Sequence, residues 1–329
     1  MDPDRLKVLY ITGWDRSGST LLDNMLGQLE NFASTGELRY VWDVGLQQNR
    51  LCSCGTSFRD CAFWKDVFRA AFGGFDGIEP TEMLKLRDEY DRARFVLLRR
   101  ATESSGIETY RSALTKIYRA ITDVTGASVI VDSSKTQAQA YFLQGSPEIE
   151  LHLVHLIRDP RAVAYSWQRK KLMGDLEGEY MAQFDPALSS LWWDANHVAT
   201  ELLRRTQSAG YLRIRYEDLV SAPRTTLVQI LSLLGRGSTP LPFVQDGAVS
   251  LRAVHGIAGN PSRFQRGQVK LRIDDEWRKK LNRRHMLLVS VLTGPLLVRY
   301  GYPLLAPRTP TLSPAGVKPI TESEVGMLI

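Results

Sequence analysis

The succession "KVLYIT", "GWDRSGST", "LLDNML" over residues 7–26 constrains this chain more than any other stretch. An apolar run of strand length, a loop carrying Gly13 and Gly18, and a helical period together form the unit that opens a parallel sheet covered by helices. The spacing of Gly13, Gly18 and Thr20 is that of a nucleotide-triphosphate loop. In such a loop backbone amides wrap the phosphates, a lysine grips the β/γ oxygens and the next hydroxyl holds magnesium. Here Ser19 stands at the lysine position, and Arg16 supplies a cation three residues earlier. The loop and the helix amino terminus still suit an anion, but the grip on a γ-phosphate is lost.

The same alternation continues downstream. Strand-length runs at 128–134, 151–157 and 211–216 are followed by helical stretches at Gln137–Gln144, Ala162–Lys171 and Thr225–Leu234, beyond the first helix at Ser19–Leu29. The expected fold is α/β: a P-loop-kinase-like parallel sheet flanked by helices, with a mostly helical insertion over about 45–127 capping the site at the strands' carboxyl ends. One domain is expected over 1–305, and the Pro/Thr/Ser-rich 306–329 reads as a flexible tail. The run "MLLVSVLTGPLLV" (286–298) is broken by Gly294-Pro295 and too short to span a bilayer, so a buried, kinked helix is expected. No export signal is read at the amino terminus, and a cytoplasmic location without a transmembrane span is expected. The net charge of +6 agrees with an anionic ligand. The cations are dispersed, with no aromatic-interleaved basic run, so nucleic acid is not an expected partner.

The strand, the Arg-Ser-Gly-Ser-Thr loop and the helix resemble the 5'-phosphosulfate loop of sulfotransferases that use 3'-phosphoadenosine 5'-phosphosulfate (PAPS). That resemblance implies that Asp15, Arg16, Ser17, Gly18, Ser19 and Thr20 hold the 5' end of the cofactor without a metal. A second stretch, "HLIRDPRAVAYSW" (155–167), is similar to the strand and helix that bind the 3'-phosphate, with Arg158 at the strand end and Ser166 eight residues on. An arginine fork and a serine two turns into a helix suit phosphate oxygens. "RIRYEDL" (213–219) resembles the family's tyrosine-bearing strand end and implies Tyr216 near the adenine. "GNPSRFQRGQVKLRIDDEWRKKL" (259–281) resembles its late basic loop, implying that Arg266 and Gly267 approach the 3'-phosphate with Arg263 helping; Gln265 stands where cytosolic members carry another cation.

Sulfuryl transfer needs a base for the acceptor hydroxyl and cations for the leaving phosphate. Lys135 keeps the position of the family lysine in "SSKTQ", but Gln137 replaces the histidine base of the cytosolic enzymes and cannot take a proton. Glu37, 21 residues after Arg16, has the separation at which tyrosylprotein and bacterial sulfotransferases place a glutamate base. The expected catalytic set is therefore Glu37, Arg16 and Lys135, acting on a hydroxyl of a small-molecule, lipid or sugar acceptor and leaving adenosine 3',5'-bisphosphate. Two alternatives stay open: a nucleotide kinase or NTPase with an altered loop, using Asp132 for magnesium, and a non-catalytic nucleotide-binding regulator. A homo-oligomer is compatible with the sequence. No metal is expected at the active site. The cysteine loop "LCSCGTSFRDCAFW" offers Cys52, Cys54 and Cys61 for metal, for a disulfide or for loop packing, and packing is the expectation, because no histidine lies nearby in sequence. Trp192 and Trp193 are expected chiefly in the core.

Overall fold

A computed structural model describes residues 5–90, 105–176, 178–206 and 209–305. The expectation of a tail from 306, and the part of the insertion at 91–104, fall outside these residues. Five strands, β1 (Leu6–Gly13), β2 (Phe32–Ser34), β3 (Val129–Lys135), β4 (Ile149–Ile157) and β5 (Gly210–Arg215), form one sheet in the order β2-β3-β1-β4-β5. Every pair is parallel. Side chains of a strand alternate between faces, and the core divides accordingly. Val8, Tyr10, Ile130, Leu151 and Leu153 pack on one face, while Leu9, Ile11, Val129, Val131, Val154 and Leu156 pack on the other. Both faces are covered by helices, so every residue of β4 is buried, with Glu150, His152 and His155 among its apolar side chains.

The insertion's helices Ala62–Phe72 and Ser105–Thr125 pack with the first of these faces. Helix α1 (Ser19–Leu26) and the helix Pro223–Leu233 pack with the second. A small antiparallel sheet of Val244–Gln245, Ala248–Leu251 and Gly267–Lys270 flanks the second face. The strand order reverses at β1, between β3 and β4, and the strand ends there open a crevice of the kind in which doubly wound sheets bind ligands.

The apolar run at 286–298 departs from the expected buried helix. It forms two helices, Arg283–Leu292 and Gly294–Arg299, broken at Thr293, because Pro295 is tolerated only in the first turn of a new helix. Val289 and Leu297 are buried, but Leu287, Val291 and Val298 are exposed, so the run covers the core with one face only. The tandem tryptophans also divide. Trp193 is buried and donates to the Arg158 carbonyl at 3.1 Å, whereas Trp192 is exposed and stacks on Trp14. No helix among the described residues is long and apolar enough to cross a membrane.

Gly13 ends β1 with φ +146, and a Cβ there would collide with the Leu156 carbonyl oxygen of the neighbouring strand. Backbone cannot swing aside as a side chain can. Gly13→Ala is expected to lower unfolding free energy by at least about 2 kcal/mol in urea denaturation, with an unchanged m-value.

Candidate active site

At the carboxyl ends of the strands lies a cavity of about 540 Å³, a volume suited to a nucleotide-sized ligand. Its floor is the loop after β1. Arg16 and Gly18 take left-handed backbone at φ 67 and φ 91, which curls the loop at the start of α1. α1 begins at Ser19 with no side-chain cap on its first amides, leaving donors for an anion. A Cβ on Gly18 would strike the Tyr216 ring, so glycine is what allows the tyrosine to close over the loop.

Two irregularities aim the central pair of charges. Between the pairings Tyr10↔Asp132 and Thr12↔Lys135, β3 carries one residue more than β1, a bulge of the kind that re-aims a side chain. Lys135 then sits at φ 71, an unusual conformation for lysine and one that concentrates at functional sites. On the other side, Gly36 turns at φ 65 after β2, and Glu37 is clamped from the backbone. Its amide donates to the Ile257 carbonyl at 2.8 Å, and the Ile257 amide donates to Thr35 at 2.9 Å. The Lys135 ammonium meets Glu37 Oε1 at 2.5 Å and Asp15 Oδ1 at 3.2 Å. Burial pushes the Glu37 carboxyl above its ordinary range, while Lys135 draws it back. Lys135 is held above its own ordinary value despite burial, because Glu37 and Asp15 face it.

Arg158, at the end of β4, is 6% exposed, donates to the Arg16 carbonyl at 2.8 Å and lies over the Tyr216 ring at 4.5 Å. Its Nε is buried without a partner, as is Ser17 Oγ. Ser166 lines the same cavity from the following helix. The cations Arg16, Arg50, Lys135, Arg158, Arg169, Lys171, Lys270 and Arg272 outnumber Asp15, Glu37 and Asp274 along its walls. Burial, with Arg16 and Arg169 near, lowers the proton affinity of the Lys171 ammonium. Tyr40, Val44, Met173, Met181 and Trp167 give the lining an apolar share, and Arg16 lies over Trp167 at 4.5 Å.

The cavity thus brings together Glu37, Arg16, Lys135, Asp15, Gly18, Ser19, Thr20, Arg158, Ser166, Tyr216 and Gln265. Arg263, Arg266, Gly267 and Ser17 are not among its lining residues. Arg263 is spent on Asp175 at 2.6 Å and on the Leu51 carbonyl, and Arg266 donates to the Ser53 carbonyl. The cations that do reach the cavity from outside the expected set are Arg50, Arg169, Lys171, Lys270 and Arg272. Lys270 and Arg272 stand in the basic loop quoted from the sequence, four and six residues beyond Arg266, on the far side of the short strand Gly267–Lys270 or just past it. Of the insertion over 45–127, Arg50 is the described residue that reaches the cavity; the rest of the rim comes from 166–181 and 258–274.

Asp132 lies elsewhere. It is buried and accepts from Tyr118, from the Ser134 amide and hydroxyl, and from Gln139, with no place in the cavity wall. Gln137 likewise turns inward and donates to Gly13, Thr12, Lys135 and Thr200.

Residues 150–240 match the Sulfotransferase family. Carbohydrate sulfotransferase 5 of Mus musculus is 28% identical over 181 residues, which span 49% of this chain and 44% of that protein, so less than half of the relative's length is matched. Among solved structures, the sulfotransferase domain from the Synechococcus PCC 7002 olefin synthase aligns at 20% identity with a TM-score of 0.48, covering 89% of this chain and 95% of that one. The sulfotransferase domain from the curacin biosynthetic pathway aligns at 18% identity with a TM-score of 0.48, covering 91% of this chain and all of that one (100%).

The buried pair predicts a stability signature. Lys135→Ala strands the Glu37 carboxylate in a dry site and is expected to cost about 3 kcal/mol in urea denaturation, whereas the double variant Lys135→Met/Glu37→Gln costs less than the single one.

Proposed function

We propose that this chain is a sulfotransferase that moves the sulfuryl group of PAPS onto a hydroxyl of a small-molecule, lipid or sugar acceptor, with Glu37 as general base. The observation that carries the reading is the convergence, in one cation-rich cavity, of an uncapped helix start, the Arg158 and Ser166 pair, and the Glu37–Lys135 ion pair. The fit to the cofactor is supported by an orphaned donor. Arg158, which lines the cavity, has its Nε buried with its hydrogen-bonding capacity unused, a cost that a phosphorylated ligand would relieve. PAPS would supply an activated sulfuryl group on its 5'-phosphate.

In this reading the residues divide the work. The loop from Asp15 to Thr20 and the start of α1 hold the 5' end. Arg158 and Ser166 hold the 3'-phosphate, and Tyr216 flanks the adenine. Lys270 and Arg272 line the cavity and are better placed than Arg263 or Arg266 to add charge there, since the latter two are engaged elsewhere, while Arg169 reaches it paired with Asp274 at 2.8 Å. Glu37 takes the acceptor proton as the acceptor oxygen bonds to sulfur and the bond from sulfur to the phosphate oxygen breaks. Lys135 and Arg16 stabilise the negative charge that collects on the leaving phosphate. The apolar lining residues Tyr40, Val44, Met173 and Met181 give the acceptor a surface to rest on. We take residues 1–305 as the catalytic unit, with the segment from 306 outside it.

The kinase alternative loses its metal ligand, because every oxygen of Asp132 is engaged away from the cavity. The non-catalytic alternative required Glu37 and Lys135 to lie outside the site, and both line it.

The test is sulfate transfer from labelled PAPS to a panel of hydroxyl acceptors, sugars and lipids included. Glu37→Gln is expected to lower kcat by about 100-fold to 10,000-fold while bisphosphate affinity stays nearly unchanged. Turnover within a few-fold of wild type in Glu37→Gln would remove the glutamate from the mechanism. The base works ionised, and burial raises its proton affinity. The wild-type rate is therefore expected to fall with decreasing pH from a point above the ordinary carboxylate range, and the residual activity of Glu37→Gln should lack that limb.

A further inference from the structure

The cysteine loop acquires in space the partner it lacks in sequence. Cys52 and Cys54 sit in a tight turn in which the Cys52 amide donates to Thr56, and the Gly55 amide, at φ 97, donates back to Cys52. Cys61 stands at the N-cap of the helix Ala62–Phe72. His255, 194 residues later, turns its Nδ1 onto them, at 3.4 Å from Cys61 Sγ and 3.8 Å from Cys52 Sγ. Cys61 Sγ is 3.7 Å from Cys54 and 3.8 Å from Cys52, and all four donor atoms lie within 4.8 Å of one another. The cysteines are free thiols.

A zinc ion with bonds of about 2.3 Å to sulfur and about 2.0 Å to nitrogen, in a tetrahedron, requires donor atoms about 3.5–3.8 Å apart. The four separations of 3.4–3.8 Å are close to that requirement, and the remaining pairs stay within 4.8 Å. A disulfide would need two sulfurs at about 2.0 Å, leaving the third thiol and the imidazole without a role. Simple packing does not explain why a histidine is delivered, ring stacked on Phe63 at 4.7 Å and 14°, with one nitrogen against two thiols. Three thiolates and an imidazole select zinc over magnesium or calcium, and four protein ligands leave no open position, so such an ion would be structural.

We propose that Cys52, Cys54, Cys61 and His255 form a structural zinc site that pins the cysteine loop to the segment holding Glu37. The connection is short. The Ser53 amide and hydroxyl donate to the Gly256 carbonyl at 2.9 and 3.0 Å, and Ile257, the next residue, is the one whose backbone clamps Glu37 and Thr35. The zinc thereby fixes the strand-like pairing of Gly36 with Ile257 from a distance of two residues along the chain. This is a positioning role; the ion does not touch the reacting groups, and the site stands whether or not the chain transfers sulfate.

The test uses the full chain, expressed with zinc supplementation and purified without chelators. Elemental analysis is expected to give one zinc per chain, and cobalt substitution the visible absorption of tetrahedral thiolate coordination. Cys54→Ser and His255→Asn are expected to lose that equivalent, His255→Cys to retain it, and Glu37→Gln to leave it unchanged. Because the first two variants can fail to fold, the wild type is also treated with chelator: its melting temperature is expected to fall and to recover with zinc but not with magnesium. A folded wild-type chain without stoichiometric zinc, a chelator-insensitive melting temperature, or a disulfide between two of the three cysteines in the isolated chain would each overturn the proposal.

Discussion

The ion pair between Lys135 and Glu37 is the interaction on which the rest of this site depends. Two opposite charges taken out of water recover their desolvation cost only when held at close range with good geometry. Much of the surrounding backbone is arranged to hold them there. A bulge and a left-handed residue aim the lysine from β3, while a left-handed glycine and a backbone clamp from Ile257 aim the glutamate from β2. Those elements belong to separate parts of the chain, and they meet because the parallel sheet places the ends of β1, β2 and β3 side by side. Burial raises the proton affinity of Glu37 and Lys135 offsets part of that rise, and the lysine's charge lies next to the loop of β1 through Asp15.

Around this pair the cavity mixes cations with apolar side chains: Arg16 lies over Trp167 and against Met181, and Arg158, with its Nε unpartnered, lies over Tyr216. The rim of the cavity is tied down by charge. Asp175 bridges Arg50 and Arg263, which fastens the segment after Lys171 to the cysteine loop and to the late basic loop. Arg263 thus closes the cavity wall from outside it.

Much of this was legible in the sequence because it is written in local patterns. Strand-length apolar stretches and a fixed spacing of glycines let β1, β3, β4 and β5 and the loop at 13–20 be read with near-correct bounds. Glu37 and Lys135 come from the resemblance to the sulfotransferases, which places a glutamate and a lysine at those separations. What escaped depends on contacts distant in sequence. Nothing local distinguishes Arg266, which turns to the Ser53 carbonyl, from Lys270 and Arg272, which line the cavity. Proximity along the chain was also the wrong guide for the cysteines, since His255 arrives from 194 residues away. The apolar run at 286–298 misled for the opposite reason: hydrophobicity without a count of available partners suggested burial, yet Leu287 and Val291 are 60% and 67% exposed.

The most direct measurement of the central claim is isothermal calorimetry of the wild type and of Arg158→Ala with adenosine 3',5'-bisphosphate, compared with ATP and magnesium. ATP has no 3'-phosphate for Arg158 and Ser166 to hold, so the two ligands separate the readings cleanly. The account predicts metal-independent binding of the bisphosphate that is tighter than that of ATP and weakened at least about 100-fold by Arg158→Ala, a loss of about 3 kcal/mol. Preference for ATP with magnesium, or bisphosphate binding indifferent to Arg158, would contradict it.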